Sequence, residues 1–212
     1  MTGGCVAHPL LISLANLLMD FCTKATYHAF HLLALLPTLK FIHKDRKIHG
    51  VLENHLIHDC LDFILQPLKK AAQVGIMMSD LLGSLHYVYT PLAAYIVDTQ
   101  EAVVLAGVAG KTSHLKTVTY KEFGDAFRHP PHTASMTLRQ LIAIEKVANP
   151  WNLDTYIKQA MIYRLNGVHC PFWHDWPLSD PSEISTPELL HHWHKIFLGS
   201  RCTMVHLCCW PC

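Results

Sequence analysis

The stretch from Thr90 to Ser113, TPLAAYIVDTQEAVVLAGVAGKTS, decides how this chain is read. Its apolar run Leu92 to Val97 has the composition of a buried strand and stops on Asp98. From Thr99 to Val108 the spacing becomes helical, with Asp98 or Thr99 as N-cap and Glu101 in the first turn, where a carboxylate complements the helix dipole. A strand that ends on a carboxylate at a helix start has two meanings. Asp98 can simply cap the helix, a contribution of about 0.5–2 kcal/mol. Alternatively, functional groups of open α/β sheets collect at the carboxyl ends of strands, and a carboxylate there suits a hard cation such as Mg²⁺. The GVAGKTS that follows is not a phosphate loop. Gly107 and Gly110 are too close together for that motif, and a helix precedes them instead of a strand.

Upstream, Pro9 to Phe21 and Ala29 to Ile42 read as two apolar strands joined by the polar turn CTKATY, although their leucine content leaves a helix open for either. From Val51 the period changes. Leu52, Leu56, Cys60, Phe63 and Ile64 fall on one helical face, and Pro67 is expected to kink or end this helix because it lacks an amide donor. GIMMSD reads as a short strand, LLGS as a turn, and LHYVYTPLAAYIVD as a strand pair or one strand interrupted near Pro91. Downstream the pattern turns helical. Ser135 is placed to cap a helix through Val147 with the stripe Leu138, Leu141, Ile142 and Ile144. A second helix follows NPWN and closes at Asn166-Gly167. A third begins in STPELLHHWHKIF, with Thr186 as N-cap and Pro187 at the first helical position. Strands with one helix, followed by helices, make an α/β or α+β chain.

Composition narrows the classes. Of 212 residues, half are apolar and 16% charged, with a formal charge of +1, so the chain is neither compositionally disordered nor basic enough overall for a strong polyanion-binding footprint. The apolar runs Pro9–Met19 and Ala29–Pro37 fall short of the roughly 20 residues a membrane-spanning helix needs. No Lys or Arg precedes Lys24, which argues against a signal peptide. A soluble, intracellular protein with no membrane partner is expected. Of the eight cysteines, Cys5, Cys22, Cys60 and Cys170 are scattered, whereas Cys202, Cys208, Cys209 and Cys212 crowd the end. This fits reduced thiols better than a disulfide framework.

Several longer motifs, PLAAYIVDTQEAVVLAGVAGKTS, YKEFGDAFRHPPHTAS, RLNGVHCPFWHDWPLSDPS and STPELLHHWHKIF, together with PLLISLANLLMDF and HAFHLLALLPTLKFI, resemble the Plavaka-type transposases of basidiomycete fungi over nearly all of residues 9–197. These are CACTA-like DNA transposons. The resemblance implies a partial ribonuclease-H-like core over residues 9–112, a mainly helical extension over 113–198 and an irregular Cys-rich tail over 199–212. It also implies a DDE mechanism, in which three carboxylates bind two Mg²⁺ ions and cut or join DNA strands. Asp98 then matches the second carboxylate, both catalytic and metal-binding, at the end of the fourth core strand. The first aspartate is expected on a strand upstream of Pro9. The third is expected in a later helix, where Glu145, Glu183 and Glu188 are available without a motif to choose among them. Gln100 stands where the family usually has proline, and the tail LGSRCTMVHLCCWPC reads as frameshifted. The resemblance thus implies a transposon-derived fragment, nuclear and DNA-associated, inactive alone, with DNA and an intact transposase as the partners to be expected. The rival reading is a non-catalytic zinc or protein-interaction module built from His191, His192 and His194 with His169, Cys170 and His174.

Overall fold

The computed structural model describes residues 7–38, 41 and 46–187. The chain divides into two compact units, one of Met1–Lys44 with Pro187–Cys212 and the other of Asp45–Thr186. In the first unit, β1 (Ala7–Ile12) pairs antiparallel with β2 (His31–Pro37), with a register shift between Leu10 and Leu11. The strand expected over Pro9–Phe21 therefore ends at Ile12. Asn16 lies in a turn, and Asp20 stands in the first turn of a short helix, α1 (Met19–Cys22), both places where a short polar side chain is favoured over a strand interior. A 3-10 turn at Ala25–Tyr27 leads back to β2.

The second unit opens with α2 (Arg46–Val74), which continues past Pro67 instead of ending there. The reason is positional. Pro67 and Phe63 both lie on the exposed side, so the Phe63 carbonyl that Pro67 cannot pair with is open to water. The opposite face carries His58, Leu61, Leu65 and Lys69, all buried. Gly75 then turns the chain in the left-handed conformation, and a Cβ there would meet the Tyr87 ring at 2.5 Å. β3 (Ile76–Ser79) and β4 (Leu85–Val88) form an antiparallel hairpin. Its loop is set by Asp80, whose Oδ1 accepts from the amides of Leu82 and Ser84 at 2.9 and 2.8 Å.

After the irregular Thr90–Ala94 come β5 (Tyr95–Val97) and α3 (Thr99–Leu105), followed by α4 (Ala134–Glu145), α5 (Leu153–Ile162), α6 (Pro181–Ile184) and β6 (Ser185–Pro187), which pairs with β5. The class is α+β. Among the described residues the strands form three separate two-stranded sheets. Pro91, without an amide to donate, sits in the irregular link that keeps β4 and β5 apart.

Packing in this unit comes mainly from helices. Ala106, Val108, Leu141, Ile144, Ala148, Tyr156, Ala160 and Leu165 form one buried cluster that joins the end of α3 to α4 and α5. The caps differ in part from those expected. Thr133 and not Ser135 caps α4, accepting from the Met136 amide, and Ile142 is exposed instead of joining the stripe. Arg164, at φ 60°, and Gly167 both take the left-handed turn after α5. Thr186 and Pro187 lie in β6, and the helix expected after them, like the tail from residue 199, lies outside the described residues.

Candidate functional site

Asp98 sits where the sequence places it, one residue beyond β5 and at the N-cap of α3. Its backbone is extended, and Oδ1 accepts from the Glu101 amide at 2.8 Å, satisfying one of the amides that a helix start leaves unpaired. The carboxylate is half-buried, and its second oxygen makes no hydrogen bond among the described residues. Capping therefore occupies half of this group and leaves the other half available.

A second polar cluster lies where α2 meets the segment Gly167–Trp176. Lys69 on α2 is almost fully buried, yet its ammonium bonds to the carboxylates of both Asp62 and Asp175. Asp62 and Lys69 are seven residues apart, two helical turns, which puts both on one face. Burial pushes the Asp175 carboxyl up, but the hydrogen bond and charge of Lys69 outweigh it and hold the group below its ordinary range. Gln73 adds a bond to the Asp175 carbonyl at 2.9 Å. Ligand atoms of Asp62, His174 and Asp175 lie within 4.8 Å of one another, a spacing that a cation could use. Here the Lys69 ammonium already supplies the positive charge that the two carboxylates require. The arrangement is an ion triad fastening the segment to α2.

His58 completes the same junction. Its Nδ1 accepts from the Phe172 amide at 3.1 Å and its Nε2 donates to the Val104 carbonyl at 3.0 Å. Both ring nitrogens are used only by the neutral form, and burial pulls the pKa down to about 4. His55 donates to the Gly167 carbonyl, and its pKa is lowered first by burial and then by the neighbouring His169. Trp173 Nε1 donates to the Leu105 carbonyl at 2.8 Å, and Trp176 Nε1 to that of Thr90 at 3.1 Å. The segment is thus tied to α2, α3 and the chain before β5.

Of the zinc candidates, Cys170 and His174 meet, with Sγ and Nδ1 3.6 Å apart. His169 points elsewhere, packing on His55, Trp151 and Tyr156. His191, His192 and His194 lie outside the described residues. Sequence reading passed over Lys69, Asp62 and Asp175. The i, i+7 spacing of Asp62 and Lys69 was visible, whereas the long-range partner Asp175 carried no local signal. Glu145 ends α4 and Glu183 lies in α6.

No curated protein and no solved structure matches this chain. The family model described as Plavaka transposase does match, over residues 1–210. With nearly its whole length matched, the chain belongs to the Plavaka transposase family.

Proposed function

We propose that the chain is a transposon-derived piece of a DDE DNA transposase that binds DNA but does not cut it alone. In this reading residues 9–112 are a partial ribonuclease-H-like core, residues 113–198 its helical extension, and Asp98 one of the metal-binding carboxylates. The observation that supports it is the place of Asp98 in a Plavaka-family chain, at a strand end and a helix start, with one carboxylate oxygen unpaired among the described residues. Two-metal phosphoryl transfer needs several carboxylates to fix both ions. Among the described residues Asp98 belongs to no group of three ligands within 4.8 Å, so the described residues do not make a two-ion site around it. The missing ligands would come from an intact transposase or from flanking sequence, and the working place would be the nucleus. Consistent with this, no helix among the described residues is long and apolar enough to cross a membrane.

The test separates the two roles of Asp98. Purified protein should leave supercoiled plasmid DNA uncut in Mg²⁺ or Mn²⁺, and Asp98→Asn should behave the same. Asp98→Ala should lose about 0.5–2 kcal/mol of stability, whereas Asp98→Ser should keep most of it, since serine also caps. Metal-dependent nicking that Asp98→Asn abolishes would refute the inactive reading.

A further inference from the structure

The segment between α3 and α4 has no helix and only isolated bridges, Thr112 to Thr119 and Lys116 to Pro131, yet it is held at many points. Its inner side is buried through Thr112, His114, Val118 and His132. Backbone bonds link Tyr120 to Lys111, Thr117 to Pro130 and His132 to Leu115. Turn bonds from Glu122 to Thr119 and from Asp125 to Glu122 shape its tip.

On that anchored frame three aromatic rings face solvent: Tyr120 at 54%, Phe123 at 60% and Phe127 at 68% exposure. An ordered segment that turns three rings mostly outward within eight residues gains little folding energy from them. One cation and one imidazole lie against these rings. The Lys111 ammonium lies 5.5 Å from the Tyr120 ring centre, and the Phe127 ring packs on His129. Lys116, Lys121 and Arg128 are exposed and have no ion-pair partner among the described residues. The two acids in the segment are engaged locally. Glu122 accepts from the Thr119 amide and hydroxyl at 2.8 and 3.0 Å and lies 3.8 Å from Arg164, while Asp125 takes the His129 ring nitrogen at 2.9 Å. A near-neutral chain thus places exposed Lys and Arg side chains in the same segment as three exposed aromatic rings. Next to it, Thr112, His132, Gln140, Tyr163 and Arg164 line an open groove of about 240 Å³.

We propose that Tyr120, Phe123 and Phe127, with Lys111, Lys116, Lys121 and Arg128, form a binding surface for single-stranded DNA, the rings stacking on unpaired bases and the cations meeting phosphates. This rests on the DNA-handling reading above and adds to it a strand state and a location. Duplex DNA hides its base faces, so exposed rings favour a strand whose bases are free. Each stacked base is worth roughly 5- to 150-fold in affinity. Four phosphate contacts give a log–log salt slope of about −3 for a single strand.

The experiment is fluorescence anisotropy on the full chain with a labelled oligothymidylate and with a duplex of the same length, across a salt series. Wild type should bind the single strand more tightly than the duplex. The triple variant Tyr120→Ala, Phe123→Ala, Phe127→Ala should weaken single-strand binding by at least ~10-fold with an unchanged melting temperature, since the rings are exposed. Replacing all three with Trp should restore it. Lys121→Gln with Arg128→Gln should weaken both DNAs and make the single-strand salt slope shallower by about 1.4. Equal affinity for the two DNAs, or an alanine variant that binds the single strand like wild type, would overturn the inference and assign the rings to a protein contact, leaving the transposase reading intact. Failure to bind either DNA would overturn both.

Discussion

In the hairpin Ile76–Val88, four residue pairs stand in antiparallel register, yet Met77, Leu82, Leu85 and Tyr87 are more than half exposed. In the segment Gly167–Ile184, regular structure is confined to the single turn of α6, yet Pro171, Phe172, Trp173 and Trp176 are nearly sealed from solvent. Both segments belong to the same unit, so the contrast is internal to one body. Regular backbone pairing satisfies amides and carbonyls but does not by itself remove apolar surface from water. An isolated two-stranded hairpin is marginal for that reason. The irregular segment does the reverse. It buries large rings and ties the Phe172 amide and the indoles of Trp173 and Trp176 to specific partners on α2, α3 and the chain before β5, while the buried His169 Nδ1 has no partner among the described residues. Stability here follows side-chain burial and partnered polar groups, not the amount of ladder.

The sharpest way to break this contrast is Trp173→Ala. It removes a ring that is 2% exposed along with its bond to the Leu105 carbonyl, and should cost about 3–5 kcal/mol in urea unfolding. Leu82→Ala, at the tip of the regular hairpin, should change stability by no more than about 0.5 kcal/mol. Similar losses from the two would show that the hairpin is covered in solution by something else.

The next effect is pH dependence at His58. An unfolded chain protonates this histidine near pH 6.5, whereas the folded chain resists until about pH 4. Between these values the unfolded state binds more protons, so stability falls as pH drops from about 6.5 to about 4, by up to about 3 kcal/mol. His58→Gln can still donate to one carbonyl and accept from one amide but does not titrate, so its stability should vary less across that window. An identical pH profile for the two proteins would remove His58 from the account.

A further substitution sharpens the hairpin side of the comparison. Gly75 joins α2 to β3 at φ 72°, and an added methyl would press on the Tyr87 ring. Gly75→Ala should cost on the order of 1–3 kcal/mol from the backbone conformation, and Gly75→Ala with Tyr87→Ala should recover any part due to the ring contact. Additive losses would show that the ring simply moves aside.

The two segments also differ in how legible they were. GIMMSD and LLGS were legible as a short strand and a turn, because the signals, a short apolar run and a Gly-Ser turn, are local. Asp98 as a strand-end N-cap was equally readable. The α2 helix was visible from its apolar face, but its passage through Pro67 was not, since that depends on which side of the helix faces water. The burial of Phe172, Trp173 and Trp176 was hidden for a related reason. An aromatic, proline-rich stretch reads as a loop, and nothing in it names the carbonyls of Leu105 and Thr90 as its partners. The Asp62–Lys69–Asp175 triad was half legible, with the helical pair in spacing and the third member only in space. The strand forecast for Pro9–Phe21 was too long because leucine-rich runs carry little β-specific information.

Asp98 carries a consequence for how such a chain changes over generations. Its carboxylate begins a helix whether or not it ever touches a metal ion, so an element that has lost catalysis still gains stability from keeping an oxygen-bearing residue there. Decay released from catalytic selection but not from folding would drift at this position among aspartate, asparagine, serine and threonine, all competent caps. An aspartate held against those three neighbours across many copies would mark copies still under selection for chemistry, and a mixture of the four would mark copies that only fold.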